Sequence, residues 1–184
     1  SVGISKSFGF DAALRRVPPA AETDPFTTWQ FAINAAVQRR FQDPAPNSVA
    51  VLYFDNLSRD TAEAYLADGL TEELIVRLGQ IVRLQVASRN AVRRFRTRAD
   101  EEPAALGRTL RVAHLVSGSV RRAGQRLRVT AELMRASDGR RLWGDAYEGD
   151  ASDLLAFEQH IATSVATTVA GQLLPRERAT LSAQ

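Results

Sequence analysis

The sequence predicts an α/β fold of the α+β-like kind. It expects a single mixed β-sheet of about five strands, with helices packed on at least one face, in the order α-β-α-β-α-β-β-β-α. Three observations predict it. Residues 48–54 (SVAVLYF) are a short apolar run rich in β-formers, as in a strand buried on both faces. Leu66, Leu70, Leu74 and Leu78 recur every four residues, the spacing of a helix stripe turned to a core. From Val112 onward the period switches to two, over three consecutive segments joined by turn residues.

Residues 1–24 show no clear period. Asp24-Pro25 reads as an N-cap followed by proline at the first helical position. Phe26, Trp29, Ile33, Val37 and Phe41 then come at helical spacing, with Arg39 and Arg40 in the last turn. Asp43-Pro44-Ala45-Pro46-Asn47 ends that helix as a stiff linker. The first strand comes next, and Asp55-Asn56-Leu57-Ser58 is read as a loop. Asp60 with Glu63 has the spacing of a capping box ahead of the leucine stripe. Gly69 within the stripe marks a candidate break, and Gly79 a candidate C-cap.

Arg83 to Ser88 reads as a second strand, Asn90 to Phe95 as a helical turn, and Asp100 to Leu110 as a helix opened by acids. Val112–Val120, Arg126–Arg135 and Arg140–Tyr147 read as three antiparallel strands, with turns at 122–125 and 136–139. Ser152 then caps a long helix whose stripe is Leu154, Phe157, Ile161, Val165, Val169 and Leu173, closed by Pro175. The expected organisation is an N-terminal extension (1–47) with one amphipathic helix, an α/β domain (48–174) and a C-terminal linker (175–184). The chain opens with Ser1 and reads as a piece of something larger.

The 184 residues are 45% hydrophobic and 24% charged, a globular composition. There is no cysteine, which excludes disulfide frameworks, cysteine-ligated metals and cysteine nucleophiles. No apolar run is long enough to span a bilayer, and no secretory leader is visible. Lys6 is the only lysine, so the basic character is carried by arginine. From Arg77 to Arg141 there are 16 Arg against 5 acids, a net of +11, while the rest of the chain carries −8. Such a dipole steers an acidic partner or a nucleic acid, or it is matched internally by acidic helices.

Several of these segments, taken in order, form a recognisable series. They are Ser48–Phe54 with Asn56-Leu57-Ser58, then residues 67–75 (ADGLTEELI), then Gly118-Ser119-Val120-Arg121-Arg122, then Leu142-Trp143. The series resembles the TolB amino-terminal-like domain of bacterial signalling proteins, over residues 48–174. Tyr53 stands where that pattern usually has proline, Arg59 where it has glycine, and Ser117 where it has glutamate. The resemblance implies a non-catalytic module in signalling or assembly. In that family it accompanies kinases, nucleotide cyclases or winged-helix regulators, and it often precedes tetratricopeptide repeats.

No catalytic motif is found. His114 and His160 lack a ligand-spaced partner in sequence, and no phosphate-binding glycine loop or nucleophile elbow occurs. Glu72 and Glu73 are adjacent on a helix, about 100° apart, and read as a solvated face rather than a facing carboxylate pair. The chain is therefore expected not to be an enzyme and to need no cofactor or metal.

The hairpins supply the candidate site. With Ala123-Gly124 as the first loop, Val120 pairs Leu127 and Val116 pairs Ala131 on an apolar face. The other face then sets Arg121 opposite Arg126 and Ser119 opposite Arg128. In the second hairpin Leu133 pairs Leu142, which turns Trp143 and Tyr147 onto the polar face. One sheet face would then display Arg121, Arg126, Arg128, Trp143 and Tyr147, a combination able to stack bases or hold phosphates. The plainer reading is that Arg128 stacks on Tyr147 and the leading helix covers Trp143.

The functional expectation is a non-catalytic sensor or protein-interaction module, working through a protein partner, an attached signalling domain or a small ligand. The alternative is nucleotide or nucleic-acid binding through the Arg/aromatic face. The leading helix, too apolar to stay in water, would pack on the domain or join a second copy as a homodimer. Kinase-linked copies of the resembling domain lean the location towards the extracytoplasmic side, and cyclase-linked copies towards the cytoplasm.

Overall fold

The computed structural model describes Ile33 and residues 43–58, 64–96 and 101–182. The chain divides between Phe41 and Gln42, and the fold is that of the second part. The leading helix expected over 26–41, the homodimer it would build and the Asp60/Glu63 capping box lie outside the described residues, apart from Ile33.

Six strands form one mixed sheet: β1 (Ser48–Val51), β2 (Asp55–Asn56), β3 (Gln85–Val86), β4 (His114–Ala123), β5 (Arg126–Arg135) and β6 (Arg141–Asp150). The order is β3-β1-β4-β5-β6, with β2 also pairing β4. β1 is parallel to β3 and β4, and β4, β5 and β6 run antiparallel. The expected mixed sheet is therefore present with one strand more. Asp55-Asn56, read as a loop, is a two-residue parallel strand against Ser119 and Val120, too short to show a period in sequence.

The helices divide by face. α1 (Ala64–Gly79) and α4 (Leu154–Ala170) cover one face, and Leu70, Leu74, Leu78, Ile161 and Val165 are completely buried there. They meet Val49, Val51, Val116, Val129 and Leu133 from the strands. Each fully buried Leu or Ile contributes roughly 1.5–3 kcal/mol, so this layer holds the fold. The leucine stripe runs as expected, and α1 continues through Gly69 without a break. α2 (Arg89–Arg93) and α3 (Pro103–Leu110) lie on the opposite face. They close only one end of it, over a small core of Ala50, Val92, Phe95, Leu106, Val112, Leu115 and Ala136. Gly107 needs its missing Cβ here, since a Cβ would overlap that of Ala136.

Three further boundaries differ from expectation. The long helix follows a 3-10 turn at Ala151–Asp153 that a reciprocal Asp150/Asp153 box caps, and its own N-cap is Asp153, not Ser152. It ends at Ala170, where Gly171 takes φ 76, so Leu173 is buried from beyond the helix. Pro175 then opens a helix instead of closing one: α5 spans Pro175–Ser182, where a linker was expected. Proline is tolerated at a helix start because its missing N–H would be unsatisfied there anyway. α5 is held by Leu181, 1% exposed, and by Glu177, which accepts from Arg83 at 2.7 Å. Arg83 also donates to the carbonyls of Ala170 (2.9 Å) and Gln172 (3.0 Å), a cation at the C-terminal end of α4. Arg83 thus clamps helices, and the strand expected from 83 shortens to Gln85–Val86.

On the outermost strand, β6, the Ala146 N–H is taken by the carboxylate of its own neighbour Asp145 at 2.8 Å.

Candidate functional site

The face of the sheet away from α1 and α4 is covered at one end only. Beyond α2 and α3 it opens as a groove of about 810 Å³. Cross-strand registers arrange its floor in rows. One row holds Leu115, Met134 and Arg141; the next holds Ser117, Glu132 and Gly144. A third holds Asp55, Ser119, Thr130 and Ala146, and the last holds Arg121, Arg128 and Glu148. Ser117 donates to Glu132 at 3.2 Å, and the Ser119 and Thr130 hydroxyls share a 2.7 Å bond. Tyr53, Phe95, Leu106 and Pro103 wall the covered end.

Two irregularities aim the charged groups. From Val51 to Asp55 the β1–β2 line advances four residues while β4 advances three, Val116 to Ser119. That extra residue sends Phe54 to the helix-side core and Asp55 to the groove. Phe54 lies so close over Gly118 that a Cβ there would overlap its ring. On β6, Gly144 has no side chain, and Arg141 lies in that space: a Cβ on Gly144 would be 2.5 Å from its Nε and Nη2. The Tyr53 wall is braced by Arg96, whose guanidinium lies 5.0 Å from the ring centroid and pairs with Asp68 at 2.5 Å.

The expected site is partly reassembled. The first hairpin turns at Gly124-Gln125, with Gly124 at φ 64, the demand of a type II′ turn. Arg121 therefore faces Arg128, not Arg126, and Ser119 faces Thr130. Arg126 faces Ala123. The three arginines still share the open face, and Arg128 donates to Glu148 at 2.7 Å. Trp143 and Tyr147 do not join them. A bulge at Leu142 shifts the β5–β6 register by one, from Met134↔Arg141 to Leu133↔Trp143, and a one-residue slip turns every later side chain over. Trp143 and Tyr147 pack into the helix-side core, with Tyr147 stacked 5.6 Å from Phe157. Burying two aromatics against α4 is the physical reason for the shift, since the unbulged register leaves both in water. Arg128 consequently does not stack on Tyr147.

Sequence reasoning missed Asp55, Glu132 and Arg141. The alternation of Ser117, Ser119 and Thr130 already marked a polar face, but the two irregularities carry no composition signal.

Other ionisable groups lie apart from the groove. His114 is half-buried on β4 with Nδ1 3.2 Å from the Ser48 carbonyl, and burial lowers its pKa. His160 sits beside Tyr147 on the helix face, 6.0 Å between rings. Glu72 and Glu73 are not merely solvated: Glu72 pairs with Arg89, and Glu73 with Arg77 at 2.9 Å. Arg77 is 3% exposed, lies 3.9 Å from Glu158 and donates to the Leu181 carbonyl at 3.3 Å. Burial, then the nearby Glu73 charge, pushes Glu158 up to about 7 against the pull of Arg77. Among the described residues no three His, Asp or Glu side chains converge as a metal site, and no helix is long and apolar enough to cross a membrane.

The fold of this mixed sheet and its helices is similar to that of solved bacterial proteins. The lipoprotein GNA1162 from Neisseria meningitidis matches with a TM-score of 0.50 at 18% identity, covering 70% of this chain and 100% of that one. TolB from Acinetobacter baumannii matches with a TM-score of 0.50 at 16% identity, covering 71% of this chain and 29% of that one. The TolB-like fold expected from the resemblance is thus seen at the level of architecture. In sequence, the chain is 32% identical over 144 residues to a Rhizobium meliloti (strain 1021) protein named "Putative adenylate cyclase 3". That match covers 78% of this chain but 24% of the relative, so the chain spans about a quarter of its length. No protein-family model matches.

Proposed function

We propose that this chain is a non-catalytic sensor and interaction module of a larger bacterial signalling or regulatory protein, and that it works by binding in the open-face groove. The observation that carries the reading is the groove itself. It joins a hydroxyl and carboxylate floor to apolar walls, in the size range of small-ligand sites. Its match to only part of a cyclase-named relative supports a module acting beside another domain. Occupancy would then bias the attached domain through the sheet and helix layer. The fold shared with a lipoprotein supports an extracytoplasmic placement; the cyclase-named relative supports the cytoplasmic alternative.

A second reading, polyanion binding, keeps Arg121, Arg126 and Arg128 on one face but loses Trp143 and Tyr147 as stacking partners.

The test is thermal unfolding of the chain against nucleotides, short single-stranded nucleic acids, sugars, amino acids and anions, at low and high salt. A ligand at 100 times its dissociation constant stabilises by about 2.7 kcal/mol, raising the midpoint by roughly 5–11 °C. A salt-resistant shift abolished by Ala146→Trp, which fills the groove from β6, supports the groove. A shift lost with salt and with Arg126→Glu plus Arg128→Glu supports polyanion binding instead. No shift with any of them removes the small-ligand reading and leaves a protein partner.

A further inference from the structure

The groove holds two opposite charges that sit side by side without satisfying each other. Gly144 is the direct register partner of Glu132 on the neighbouring strand, and the Arg141 guanidinium lies in the space above Gly144. Adjacent strands are about 4.8 Å apart, so cation and carboxylate occupy neighbouring positions of one row. No ion pair within 4.0 Å forms between them, although each is within reach of the other's row. Glu132 is held in place by Ser117, leaving one carboxylate oxygen unspent. Asp55, one row along, makes no ion pair among the described residues. The apolar walls of Tyr53, Phe95, Leu106 and Met134 stand on the Arg141 side of the floor.

We propose that this groove binds a free α-amino acid with an apolar side chain: ammonium on Glu132, carboxylate on Arg141, side chain against the Tyr53–Phe95 wall. The inference rests on the reading of the groove as the binding site. A zwitterion bridges a fixed cation–anion gap that neither a simple cation nor a simple anion can fill. An arginine fork recognises a carboxylate bidentately, and Glu132 can accept the ammonium beside the Ser117 hydroxyl. An ammonium or a carboxylate alone would leave one partner of the gap desolvated and unpaired. Phosphates are disfavoured at this end, because Asp55, Glu101 and Glu132 line the groove with Arg141 and with Arg96, which is already paired with Asp68.

The experiment is calorimetric titration of the full 184-residue chain. The probes are L-phenylalanine, L-leucine and L-methionine, compared with phenethylamine, which lacks the carboxylate, and 3-phenylpropionate, which lacks the ammonium. The wild type binds at least one amino acid, and both one-charge analogues bind at least tenfold more weakly. Glu132→Gln weakens the amino acid at least tenfold but leaves 3-phenylpropionate unchanged. Arg141→Gln does the converse, sparing phenethylamine. Both sites are on the open face, so matched unfolding midpoints accompany the binding data. Equal binding of phenethylamine and phenylalanine overturns the proposal, as does unchanged phenylalanine binding by both variants. If no amino acid binds but another ligand does so in a manner abolished by Ala146→Trp, the module reading stands and this one falls. If nothing enters the groove, this proposal and the small-ligand reading fall together, and a protein partner is left.

Discussion

The two faces of one sheet divide the labour of this molecule. The face under α1 and α4 buries Leu70, Leu74, Leu78, Leu133 and Ile161 completely, with aromatics drawn in by a bulge. The other face buries a small core at one end and leaves hydroxyls, carboxylates and arginines open at the other. The strands contribute to both faces alternately, so stability and recognition are interleaved residue by residue. Substitutions separated by one position therefore act on different properties.

Truncating the helix-side core should cost most. Leu74→Ala is expected to lose about 2–5 kcal/mol, lowering the unfolding midpoint by roughly 5–15 °C, measured by calorimetry. Removing an aromatic that the bulge turns onto α4 is next: Tyr147→Ala loses the 5.6 Å stack on Phe157, with an expected loss of roughly 2–4 kcal/mol in the same calorimetry.

A third test uses pH. Glu158 is held up to about 7 in the fold against an ordinary 4.5. The folded state therefore binds more protons than the unfolded state between those values. This group's contribution is present at low pH and lost as pH rises from about 4.5 to 7. The expected fall is on the order of 2 kcal/mol, and Glu158→Gln flattens it in urea titrations run across that range. Glu177 acts in the opposite sense. Its hydrogen bond from Arg83, with another from the Leu174 amide, pulls it down to about 2. Its contribution is complete above the ordinary carboxylate range and disappears as pH falls towards 2, and Glu177→Gln removes that acid limb. The open face contributes least: Arg128→Gln breaks an exposed pair with Glu148 and should change stability by less than about 0.5 kcal/mol in the same titrations.

The helix-side layer was legible because its signals are periodic. Leu70, Leu74 and Leu78 repeat over several turns, and Leu127 to Leu133 alternate without interruption, so each residue reports the same geometry. The groove was legible only in part. The hydroxyls of Ser117, Ser119 and Thr130 obey the same alternation and fall on the face it assigns them. The bulge at Leu142 and the extra residue before Asp55 break alternation once each, and each turns over the side chains after it. Nothing local distinguishes Leu142 from a paired strand residue; its displacement is decided by Phe157 on a helix still to come. Pro175 is ambiguous for a similar reason: a helix stop and a helix start use the same residue, and Leu181 and Arg83 decide between them.

The carboxylate of Asp145 that occupies the Ala146 amide matters beyond this sheet. β6 is a ten-residue outer strand, long enough to template another chain along its rim. An amide already engaged by its own neighbour has no donor to offer an incoming strand, and the negative charge repels a second copy arriving in the same way. Concentrated solutions of an Asp145→Ala variant would then be the place to look for fibrils or strand-exchanged oligomers that the parent sequence avoids.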